Sequence, residues 1–175
     1  AYSLFFLVVI LMSCESHFKQ ALTTNANCET ASKIRTAPTK LSETCLYSDI
    51  RTFEISPELK KFTPNYQLWS DGSNKSRWVY LPHNSQIDTS NPDRWVFPVG
   101  SQFFKEFRQF SATGKEIRVE TRHFVKITPG EGADSWLIHA YAWNKQQTDA
   151  VLAPKLGAQN VLGTDHDIPS EEDCV

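Results

Sequence analysis

The chain is predicted to be all-β, an antiparallel β-sandwich or jelly-roll-like domain. Short segments rich in β-branched and aromatic residues recur between residues 76 and 144. Turns containing Pro or Gly separate them. No segment carries a long amphipathic helical period, which leaves sheet packing as the way to bury the apolar residues.

The elements follow in order. Ser76-Arg-Trp-Val-Tyr-Leu81 reads as a strand stopped by Pro82, and Arg94-Trp-Val-Phe97 as a short strand stopped by Pro98-Val-Gly100. Gln102 to Phe110 carries four Phe and ends before Ala112-Thr-Gly114. In Glu116 to Thr128, alternation assigns Ile117, Val119, Thr121, His123, Val125 and Ile127 to one face. The same alternation assigns Arg118, Glu120, Arg122, Phe124 and Lys126 to the other face. Pro129-Gly-Glu-Gly132 then turns the chain into Ser135 to Asn144.

Ahead of the domain, Tyr2 to Met12 is almost wholly apolar. It is too short for a bilayer core, which needs about 20 helical residues. It fits the apolar core of a signal peptide whose basic start is missing, since the only Met is Met12. Leu11-Met-Ser-Cys14 resembles a lipobox, with Cys14 as the lipid-bearing residue; an ordinary secretion signal or a buried apolar helix is the plain alternative. The expected organisation is a signal segment over 1–13, a polar tether over 14–39, the β domain over 40–155 and a linker over 156–175. A short helix within 29–36 fits the tether. Export would place Cys28 and Cys45 in an oxidising compartment, where they either pair or stay as free thiols. Cys174 is then left over.

Net charge is −2 with a pI near 6.2. No basic stripe exists, so nucleic acid is not an expected partner. There is no Gly-Xaa-Ser-Xaa-Gly, no phosphate-binding Gly loop and no His-Glu-Xaa-Xaa-His. His123 and His139 lie on strands that are potential hairpin neighbours. Two ligands without a third do not make a metal site, and no metal is expected. The candidate site is a polar cluster of Asp71, Lys75, Arg77, Glu120, Arg122 and Asp149. With the Trp residues, these would line a cleft for a small polar ligand such as a sugar. A solvated sheet face with cross-strand ion pairs is the bland alternative.

Several phrases together resemble an uncharacterised family of exported bacterial proteins, in which a β-rich module directly precedes a c-type cytochrome domain. They are Lys40-Leu-Ser-Glu-Thr-Cys-Leu-Tyr47, Tyr66-Gln-Leu-Trp-Ser-Asp-Gly-Ser-Asn-Lys-Ser-Arg-Trp78 and Trp95-Val-Phe-Pro-Val-Gly100. Glu120-Thr-Arg122, Trp143-Asn-Lys-Gln-Gln-Thr-Asp-Ala150 and Ile168-Pro-Ser-Glu-Glu-Asp-Cys174 complete the order. The resemblance implies that Cys174 is the first thiol of a Cys-Xaa-Xaa-Cys-His haem c motif. Haem c would belong to the longer protein, and residues 1–175 alone attach none covalently. Cys45 stands where the family has Gly. The implied role is docking of a redox partner or small polar ligand beside an electron-transfer domain, on a membrane-anchored lipoprotein. A glycan- or ligand-binding surface lipoprotein with no redox role is the alternative. The family supplies no catalytic residue.

Overall fold

The computed structural model describes residues 27–33, 36–66 and 72–173. The signal segment 1–13, Cys14, Asp71 and Cys174 lie outside the described residues.

The described chain is all-β, as the sequence predicts, in two antiparallel sheets. The small sheet pairs β1 (Tyr47–Asp49) with β2 (Glu54–Ile55). The large sheet runs in sequence order through β3 (Lys60–Lys61), β4 (Asn74–Tyr80), β5 (Gln102–Phe110), β6 (Glu116–Lys126), β7 (Trp136–Trp143) and β8 (Ala150–Leu152). Every neighbouring pair is consecutive along the chain, so the sheet is a meander. The expected strand at Arg94–Phe97 is reduced to a single bridge between Asp88 and Val96. It is held between a turn at Asn91, whose carbonyl accepts from the Arg94 N–H, and the donor-less Pro98.

The two faces of the large sheet are covered differently. The inner face presents Trp78, Tyr80, Phe104, Tyr141 and Trp143, which pack against Leu41, Leu46, Tyr47 and Leu59 from the N-terminal part of the chain. Cys28 and Ala31, in the stretch expected as a tether, belong to this core. The short helix α1 (Cys28–Ala31) is capped by Asn27, whose side chain accepts from the Glu29 N–H at 2.7 Å. Cys28 and Cys45 form a disulfide, and Cys28 is fully buried. Gln102 Nε2 donates to the Cys28 carbonyl at 2.9 Å, tying the helix to β5. The helix is buried because the disulfide and this bond draw it onto the sheet.

The outer face receives the stretch expected as a linker. Val161 and Ile168 pack on Phe107 and Val119. Ala158 and Ile168 form a bridge that closes the stretch on itself. Gly157, with φ of 77°, permits the closure: a Cβ there would stand 2.3 Å from the Ile168 carbonyl oxygen.

A β-bulge divides β6. Phe107 faces Glu120, but the next residue, Arg108, faces Arg118, leaving Val119 as the extra residue. Strict alternation would group Val119 with Thr121, and Arg118 with Glu120. The bulge reverses both. Val119 joins the outer cluster with Phe107, while Arg118 turns inward over the rings of Phe53 and Trp143.

Both sheet edges are protected. β3 is two exposed lysines, and charge on a short edge opposes further pairing. Along β8, Lys40 bridges Val151, and the Leu152 N–H donates to the Thr39 carbonyl at 3.0 Å.

The disulfide closes a loop with a sequence separation of 17. Reducing it should lower stability by about 3 kcal/mol, measured as the shift in urea midpoint with and without dithiothreitol. An unchanged midpoint would mean the pair constrains nothing.

Candidate functional site

The register of β4, β5, β6 and β7 lays the outer face out in rows. Lys75, Phe107, Glu120 and Ala142 form one row. Arg77, Lys105, Arg122 and Ala140 form the next, and Val79, Phe103, Phe124 and Ile138 the third. The C-terminal stretch covers the first row. The third is half-buried, and its Phe103, Phe124 and Ile138 line an open apolar groove of about 520 Å³, completed by Phe62 and Trp136. The middle row sets three cations side by side on three adjacent strands.

Four of the expected cluster residues, Lys75, Arg77, Glu120 and Arg122, therefore meet on one face. Glu120 is fully buried. Arg122 Nε donates to its Oε1 at 2.5 Å, and the His166 ring meets its Oε2 at 2.7 Å. Burial pushes this carboxyl up, but the bonds from His166 and Arg122 outweigh it and hold the group below the usual range. Asp149 does not join the cluster. Its carboxylate accepts from the Ser42 N–H at 3.1 Å and from the Ser42 hydroxyl at 2.6 Å, clamping the N-terminal stretch beside β8.

Lys105 escapes the sequence reading, although it sits between Phe103 and Phe107 on the clearest Phe-rich strand. Only the pairing of β5 with β4 and β6 shows that it lies between two arginines. Its ammonium lies over the Phe107 ring at 4.7 Å, with Lys75 at 5.4 Å and Arg122 at 4.8 Å from the same ring. Partial burial, together with Lys75, Arg122 and Arg77, pushes Lys105 down to about 8.

Beneath the sheet lies a second buried acid, Glu106, which the sequence reading also missed. It accepts from the Tyr47 hydroxyl, from Arg108 at 2.7 Å and from Arg118 at 2.8 Å. Burial, and then the Glu106 charge, raise the Tyr47 phenol well above its ordinary range, so it stays a donor. This acid is fully enclosed and structural.

His123 and His139 do face each other in register. His123 stacks on Phe104 with ring centroids 4.3 Å apart. The Gln102 amide nitrogen is committed to Cys28, so its Oε1 accepts from His123 Nε2–H at 2.8 Å. That fixes the tautomer and leaves Nδ1 buried without a partner, as is His139 Nε2. Among the described residues no three His, Cys, Asp or Glu side chains are grouped to hold a metal ion.

Burial, and then the neighbouring His139, push His123 down to about 3. The unfolded chain takes up this proton near pH 6.5 and the folded chain does not. Stability is therefore complete above about pH 6.5 and falls towards pH 3, by up to about 1.4 kcal/mol per pH unit. His123→Gln should flatten that acid limb in urea melts from pH 7 to pH 4; a limb of unchanged slope would place the titration elsewhere. Glu120→Gln removes the charge facing Arg122 and His166, and should cost about 2–4 kcal/mol in thermal or urea unfolding. A loss below about 1 kcal/mol would mean that solvent already screens the pair.

Compared with protein-family models, curated proteins and solved structures, the chain gives no match.

Proposed function

We propose that the chain is the docking module of an exported, lipid-anchored protein whose electron-transfer domain carries covalently attached haem. The module holds a small ligand or a redox partner on the outer face of its large sheet. The observation that carries the docking role is the unequal covering of the two faces. The inner face is sealed by the disulfide-linked N-terminal part of the chain, while the outer face keeps an aromatic groove beside three in-register cations. A sheet shaped for stability alone gains nothing from like charges set directly opposite one another.

Two further observations support the setting. A disulfide buried in the core suits an oxidising compartment. The ordered phrases from Lys40 to Cys174 resemble proteins in which such a module precedes a haem c motif. Among the described residues no helix is long and apolar enough to cross a membrane, so attachment in this reading falls to the lipid on Cys14.

A glycan-binding role without redox chemistry is the second reading. Trp95 favours it, because the ring is 55% exposed and lines an open groove with Arg94, Glu131 and Trp136. Aromatic walls with a few charged groups suit a polar ring-shaped ligand.

Sequencing the gene beyond Val175 separates the two. The haem reading expects Cys and His as the second and third residues past Val175, and a positive haem stain on the longer protein. A frame that continues without them removes the electron-transfer role and leaves the binding role.

A further inference from the structure

Among the described residues Glu120 is the acid in register beside the cationic row, and both of its oxygens are engaged, Oε1 by Arg122 and Oε2 by Arg122 and His166. Its charge is felt at Lys105, but the two form no direct ion pair. Among the described residues no carboxylate forms an ion pair with Lys105 or Arg77. Lys105 is also half-buried, so part of its hydration is already gone. Like charges directly opposite on neighbouring strands destabilise a sheet, and the fold retains three of them in one row.

The row is continuous with the groove. Phe103 lies two residues from Lys105 on the same face of β5, about 7 Å along the strand. Phe124 and Arg122 repeat that spacing on β6, and Phe62 is held beside Arg77 by its N–H bond to the Arg77 carbonyl at 3.1 Å. The Phe103 and Phe124 walls thus each have a cation at the same end. A bare inorganic anion would leave the groove exposed, and a neutral apolar molecule would give Lys105 and Arg77 no counter-charge. The groove volume lies within the range of small-molecule sites, about 300–1,000 Å³.

We infer that the outer face binds a small amphiphilic carboxylate, with its head on Lys105 and Arg77 and its apolar body along Phe62, Phe103, Phe124, Trp136 and Ile138. This rests on reading the outer face as a binding surface, and it adds the chemical class of the ligand. The carboxylate supplies a counter-charge to Lys105 and Arg77, which form no ion pair among the described residues. Arg77 offers a planar fork for two oxygens and Lys105 a point charge between them. The apolar side chains and the half-buried setting of Lys105 remove part of the water around the pair and strengthen it.

The test uses the oxidised chain and decanoate below its micelle concentration, followed by calorimetry and by amide chemical shifts. Decanoate should saturate one site and shift Phe103, Phe124 and Ile138. Decanol and acetate should each bind at least about tenfold more weakly, since a charge-assisted contact is worth about 1.5–3 kcal/mol. Lys105→Met should weaken decanoate by a similar factor and melt no lower than the parent, because it relieves the like-charge row. Arg77→Gln serves as the second variant. Equal affinity for decanol and decanoate would overturn the carboxylate assignment and leave the binding face standing. Unchanged decanoate affinity in both variants would overturn it too. Binding to anionic vesicles but not to monomeric decanoate would replace it with a lipid surface. No binding by any probe, with no shift on the outer face, would overturn this inference and the binding-face reading together.

Discussion

A carboxylate held out of water in the middle of the sheet is the constraint around which the rest is arranged. Glu106 is 1% exposed, and an ion so placed must have its oxygens occupied. Tyr47 reaches it from the small sheet, Arg108 along its own strand, and Arg118 from the next. Arg118 can do so only because the bulge at Val119 turns it inward. The same bulge sends Val119 outward and leaves Glu120 free to meet Arg122 and His166 on the other side. The regular register, Glu106 opposite Thr121 and Phe107 opposite Glu120, puts the two buried acids on opposite faces, and one extra residue in β6 gives the inner acid its second arginine.

That division also explains what could and could not be read from the residues. The strands from Gln102 to Phe110 and from Trp136 to Trp143 carry enough aromatic and β-branched residues to be found without coordinates. The four shortest strands do not. Lys60 and Lys61 have no strand character, and they pair only because β4 is already in place beside them. The bulge has no local signal either: Arg118-Val-Glu120 looks like plain alternation, and the register with β5 alone reveals the slip. Cys28 to Lys33 looked like part of a polar tether because its burial comes from a cross-link and from Gln102, both remote in sequence. The stretch 156–175 reads as a linker for a similar reason, since Val161 and Ile168 are isolated apolar residues among polar ones.

The candidate site was legible in part. Lys75, Arg77, Glu120 and Arg122 stand out as charges on strands, and the pairing of β4, β5 and β6 brings them together. Asp149 was grouped with them on residue type, but it stabilises a turn and the N-terminal stretch. Lys105 was hidden by its aromatic neighbours. The outer face therefore has two kinds of charge. Glu120, Arg122 and His166 form a satisfied unit that helps hold the C-terminal stretch down, and Arg77 and Lys105 stand in the row beside the groove, outside that unit.

The meander sets an order of assembly. Each strand from β3 to β8 can pair with the one made just before it, so most of the large sheet grows from near-neighbour hairpins, the rapid class of contacts in folding. The N-terminal stretch is the exception. Its clamp runs from Ser42 to Asp149, a separation of 107 residues, and its bridge to β8 is as remote. During synthesis from the N-terminus, residues 39 to 42 have no β8 to lie against until the last strand has emerged, although helix α1 meets its partners on β4 and β5 earlier. The Tyr141 and Trp143 part of the inner aromatic face is completed in the same late interval. Closing that stretch over the finished sheet is the late, entropically costly step, and a cross-link already formed between Cys28 and Cys45 would deliver it as one preassembled flap.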